Sequence, residues 1–75
     1  MRELVEYIVK SIVDEPDEVA IDEIVADERT ILKLQVAPDD MGKVIGKEGK
    51  VARSIRTLLK VASIKEGKRF ILEIG

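Results

Sequence analysis

The chain has 75 residues, 45% of them hydrophobic and 37% charged, which suffices for one domain over residues 1–75 with a small core and a thin margin of stability. Cysteine and histidine are absent, which excludes disulfides, thiolate metal sites and imidazole chemistry; no apolar run approaches the roughly 20 residues that span a bilayer, and Met1-Arg2-Glu3 opens on charged sequence, so a soluble cytoplasmic protein without a signal peptide or cofactor is expected. A net charge of −2 gives no general attraction to polyanions, so such a partner would need a local concentration of positive charge.

Leu4, Val5, Ile8, Val9, Ile12 and Val13 recur at helical spacing and predict a helix from about 2 to 14 that ends before Pro16. Asp14 and Glu15 oppose the dipole at its C-terminus. Glu18 to Val25 is rich in β-branched residues and predicts a strand. Its alternation breaks at Glu23-Ile24-Val25, as at a bulge or a twisted strand end. Ala26-Asp27-Glu28-Arg29 supplies a polar reversal into a second strand, Thr30 to Ala37, with Leu32, Leu34 and Val36 on one face.

Pro38 ends that strand, and Asp39 or Asp40 is placed to cap a short helix over Asp40 to Ile45. Gly46 and Gly49 interrupt it. Val51, Ala52, Ile55, Leu58, Leu59 and Ala62 then follow helical spacing through about Ile64, with Lys50, Arg53, Arg56 and Lys60 turned to the other side. Gly67 stops this helix, and Phe70, Leu72 and Ile74 alternate as a final strand. Tyr7 and Phe70, the only aromatic residues, read as packing residues. The order is α-β-β-α-α-β.

The charges are segregated along this order. Met41 to Arg69 holds nine basic residues against Glu48 and Glu66, a net of +7, whereas the remainder holds four basic and thirteen acidic residues, a net of −9. Such a block presents one positive face to a polyanion. Within it, Val44-Ile45-Gly46-Lys47-Glu48-Gly49 lies between two predicted helices. Two glycines let the backbone turn sharply and allow close approach of a sugar-phosphate strand, and the following helix N-terminus favours a phosphate there.

With these flanks and this strand order, the chain resembles the KH domains, and over its whole length the small bacterial stand-alone KH proteins of the KhpA (YlqC) type. The resemblance implies an α+β, type II-like KH fold, with three helices on one face of a three-stranded sheet. It implies that Gly46, Lys47, Glu48 and Gly49 clamp the backbone of about four nucleotides of single-stranded RNA. Lys43, Lys50 and Arg53 would add phosphate charge, and Val44, Ile45 and Ala52 would line an apolar groove, with Arg56 and Lys60 extending the positive face. It further implies a small RNA chaperone or post-transcriptional regulator that forms a homodimer, or a heterodimer with a larger KH protein of the KhpB/Jag type. Glu48 brings a negative charge into the loop and is expected to weaken binding unless it points outward. Ala52 stands where the KH pattern carries a larger aliphatic.

The scarcity of aromatics argues against modules that stack bases on exposed rings. A phosphate-binding P-loop needs four residues between its glycines followed by Lys-Ser/Thr, and Gly42 to Gly46 encloses three. No dinucleotide-binding half fits, and no His or Cys is present for acid–base or nucleophilic work, so an enzyme is not expected. The alternative of another class is an interaction module that uses the same fold chiefly to pair with protein.

Overall fold

The computed structural model describes all 75 residues. Helix α1, Arg2–Ile12, lays Val5 and Val9 into the core, one turn apart on the same face. It ends two residues earlier than the apolar periodicity suggests. Val13 is already extended, and the next two amides, of Asp14 and Glu15, donate to the carboxylate of Asp40 at 3.1 and 2.9 Å. Pro16 then opens a 3-10 turn, Pro16–Glu18, where its fixed φ and missing donor cost nothing; Glu18 therefore lies in that turn and not in the strand.

Strand β1, Ala20–Val25, pairs antiparallel with β2, Arg29–Gln35, and β2 pairs in parallel with β3, Arg69–Ile74. The sheet order is β1-β2-β3, so β2 is central. Thr30, Leu32 and Leu34 alternate into the core from β2, with Leu72 beside them from β3. The bulge expected in β1 is absent: every residue from Ala20 to Val25 has a register partner between Gln35 and Thr30. The broken alternation has another cause. Glu23 shares the face of its partner Leu32, yet it is exposed, as are Ile24 and Val25, so the helical layer does not reach that end of the edge strand.

After a 3-10 turn at Pro38–Asp40 come α2, Met41–Ile45, a further turn at Lys47–Gly49, and α3, Lys50–Glu66. Ile55 and Leu59 carry α3 onto the sheet, and Val44 does the same for α2. Gly67, left-handed at φ 67°, stops α3 as the sequence suggests. Phe70 packs against the core, but Tyr7 is 71% exposed on the outer side of α1 and is not a packing residue. The fold is the α+β KH arrangement, a mixed three-stranded sheet with three helices.

Asp40 stands at the N-terminal end of α2 but does not cap it. Its side chain is 1% exposed, and both oxygens are committed to the chain leaving α1. Asp40→Ala would leave two amides without partners and is expected to cost about 2 to 4 kcal/mol. Urea denaturation checks this; a loss below about 0.5 kcal/mol would show that water replaces the carboxylate at no cost.

Candidate nucleic-acid interface

The segment between α2 and α3 is built from backbone angles that ordinary residues avoid. Gly46 has φ 76° and ψ 174°, a region open essentially to glycine alone. A Cβ placed on it would lie 2.5 Å from Val51 Cγ2 and 2.9 Å from the Val51 backbone nitrogen. Gly49 is left-handed at φ 73°, with nothing within 4 Å of its would-be Cβ. Between them Glu48 is also left-handed, at φ 56°, which is strained for an L-residue. The two glycines thus do different work: Gly46 admits close packing against α3, and Gly49 only allows the turn.

Internal hydrogen bonds hold the loop. The Gly46 amide donates to Gly42 O at 2.8 Å and the Gly49 amide to Gly46 O at 3.1 Å. Arg53, in the first turn of α3, reaches back to donate to the Glu48 carbonyl at 3.3 Å, so its guanidinium lies beside the loop. Lys47 and Glu48 are both exposed, and the Glu48 carboxylate makes no ion pair. Gly49, as the N-cap of α3, brings no side-chain oxygen to the first turn.

The residues expected at the site divide into three groups. Gly46, Lys47, Glu48, Gly49, Lys50 and Arg53 are contiguous at the junction of α2 and α3. Lys43 lies on α2, but its ammonium is hydrogen-bonded to Asp14. That bond raises its pKa above the ordinary lysine value, partly offset by desolvation and reinforced by the charges of Asp14 and Asp40; Lys43 is thus a surface charge already paired with an anion. The three apolar residues separate: Val44 is fully buried and Ala52 is 4% exposed, whereas Ile45 is 40% exposed. The side chains of Val44 and Ala52 therefore belong to the core, and only Ile45 offers an apolar surface beside the loop.

The sequence places Arg56 on an extension of the positive face and carries no sign of the edge of β3. Arg56 lies against that strand, its guanidinium 3.5 Å from the Leu72 carbonyl, and the Phe70 amide donates to Ser63 Oγ at 2.9 Å. The positive side of α3 and the free edge of β3 are thus one continuous surface. Arg56 and Lys60 at helical spacing hinted at it; the β3 register that completes it has no signature in sequence.

The unequal roles of the glycines have a measurable consequence. Gly46→Ala is expected to cost about 2 to 5 kcal/mol, from backbone strain and overpacking against Val51, and Gly49→Ala about 1 to 2 kcal/mol, from strain alone. Glu48→Gly relieves the remaining left-handed residue and should stabilise by about 0.5 to 1 kcal/mol after the entropy of glycine is deducted. Urea titrations of the three variants check the ranking, and equal losses at the two glycines would contradict it.

A family profile described as "KhpA/KhpB, KH domain" matches residues 2–74. The chain is 54% identical over 74 residues to a protein of Clostridium perfringens named RNA-binding protein KhpA, covering 99% of each chain. It is 55% identical over 74 residues to the protein of that name from Caldanaerobacter subterraneus subsp. tengcongensis, again covering 99% of each. The one from Borreliella burgdorferi is 50% identical over 72 residues, covering 96% of this chain and 88% of the relative. No solved structure matches. With its glycine loop, its mixed sheet and these relatives, the chain belongs to the KhpA/KhpB family of KH domains.

Proposed function

We propose that this protein binds single-stranded RNA, holding its sugar-phosphate backbone at Gly46 to Gly49 and along the first turns of α3. The observation that carries the reading is the loop itself: a glycine-turned backbone, bare of side chains on its glycines, with Lys47, Lys50 and Arg53 around it. Glycine allows a polyanion near the main chain, and a clamp over about four nucleotides is the mode such a loop serves. The similar proteins named as RNA-binding support the same reading, and none of those names describes an enzyme.

Within this scheme Lys47 and Lys50 supply mobile charge and Arg53 a positioned one. Lys43 contributes less, because Asp14 already neutralises it. Ile45 is the apolar contact for a base, Val44 and Ala52 support it from below, and exposed Glu48, held by no ion pair, is free to turn away from the phosphate. We place the activity in the cytoplasm, as a small RNA chaperone or post-transcriptional regulator; no helix is long and apolar enough to cross a membrane.

A second reading rests on a separate observation. Leu58, Val61 and Ile64 of α3 are 45%, 53% and 76% exposed. Three large apolar side chains at spacings of three on one helix form a surface suited to protein. It fits a homodimer, or a heterodimer with a KhpB-type KH protein, and two weak clamps joined in this way would gain avidity.

Fluorescence anisotropy with short single-stranded RNA, single-stranded DNA and duplex RNA tests the main reading, against a Lys47→Asp, Glu48→Asp double variant. Aspartate tolerates the left-handed backbone at position 48, so the variant should remain folded, as circular dichroism checks. Single-stranded RNA binding should fall by about tenfold or more, and the native protein should lose affinity with salt at about −2 in log–log slope, for three phosphates at about −0.7 each. Absence of binding at low salt, together with concentration-dependent dimerisation lost in Val61→Glu, would make the interaction module the correct reading.

A further inference from the structure

The positive block runs on past the loop to Lys65, Lys68 and Arg69, residues that the clamp leaves unused. Arg69 opens β3, and the parallel register sets it directly beside Arg29, the first residue of β2. Both side chains are exposed. Like charges at facing sheet positions are destabilising, and neither arginine makes an ion pair. The ion pairs are those of the N-terminal amine with Glu3, Lys10 with Glu6 and Lys43 with Asp14. Asp27 and Glu28 line the same hollow as the two arginines, yet neither pairs with them, and neither guanidinium donates a hydrogen bond.

The arginine pair is continuous with the positive side of α3. One hollow along the edge of β3 is lined by Arg56, Lys60 and Ser63 from α3 and by Arg69 and Ile71 from β3. Arg69 also lines the hollow that holds Arg29. A path of guanidinium and ammonium groups therefore leads from Lys50 through Arg53, Arg56 and Lys60 to Arg69 and then Arg29. The 17 residues of α3 separate its two ends by about 25 Å, and Arg69 follows the end of α3 that is remote from the loop.

We propose that Arg29 and Arg69 form a second phosphate-binding site, which takes the backbone of the same RNA strand beyond the nucleotides held at the loop. The inference rests on the RNA-binding reading above. Two adjacent unpaired guanidiniums present forked donors that match phosphate oxygens, and an anion between them would offset their mutual repulsion.

The test is anisotropy with single-stranded RNA of about five and about twelve nucleotides, comparing the native chain with Arg29→Gln/Arg69→Gln. An Arg2→Gln/Lys10→Gln variant removes equal charge on α1, away from this path. The arginine variant should bind the longer RNA three- to tenfold more weakly, with a salt slope shallower by about 1.4 for two phosphates. Its binding of the shorter RNA and its thermal stability should not fall, and the control variant should bind both lengths as the native chain does. Equal loss for both lengths, equal loss in the control variant, or no loss at all would overturn the second site while leaving the loop clamp intact. If the native chain binds neither length, the RNA-binding reading fails and this inference falls with it.

Discussion

Between Gly46 and the first turn of α3 there is no space for even one additional carbon atom. Val51, whose side chain and backbone nitrogen fill that space, is itself packed against the core. The loop is therefore attached directly to the hydrophobic centre of the protein. Val44 on one side of it and Ile55 and Leu59 on the other are buried in the same cluster, so α2 and α3 meet at an angle that the Gly46 backbone dictates. A loop so fixed can offer a preformed shape to a ligand, and less ordering is then required on binding. The exposed Lys47 and Glu48 side chains keep their freedom outside this fixed frame.

The second organising feature is the separation of charge. An overall charge of −2 includes a block of +7, and the fold sets this block along one helix, one loop and the edge of β3. Where the basic block meets the acidic one, the contact is specific. Asp14 neutralises Lys43, and buried Asp40 holds the backbone of Asp14 and Glu15 in place. The carboxylates that end α1 thus act on the interface from outside it, by limiting how far the free positive surface extends toward α2.

Much of this was legible in the residues, and the failures share one cause. The helical spacing of Ile55, Leu59 and Ala62, the alternation of Leu32 and Leu34, and the stops at Gly46 and Gly67 are local patterns, and each gave its element to within a few residues. What sequence could not supply were contacts between distant segments. The end of α1 at Ile12 depends on Asp40, more than twenty residues away; the neutralisation of Lys43 depends on Asp14; the adjacency of Arg29 and Arg69 depends on a parallel register set by a helical crossover. Val44 and Ala52 illustrate the same limit. Their apolar character and position beside the glycines suited a groove, but only the packing of α2 and α3 on the sheet shows that they face inward. Tyr7 errs in the opposite sense, since an aromatic on an amphipathic helix looks like core until the width of the buried face is known.

On the proposed reading, RNA lies against the backbone of the Gly46–Gly49 turn and the start of α3. Titration of the isotope-labelled protein with a short single-stranded RNA, followed by amide chemical shifts, tests it most directly. The largest changes should fall on Gly46 to Lys50, with smaller ones along Arg53, Arg56 and the edge of β3, while Asp22 and Glu23 stay silent. Changes confined to Leu58, Val61 and Ile64, with the glycine amides unmoved, would contradict it.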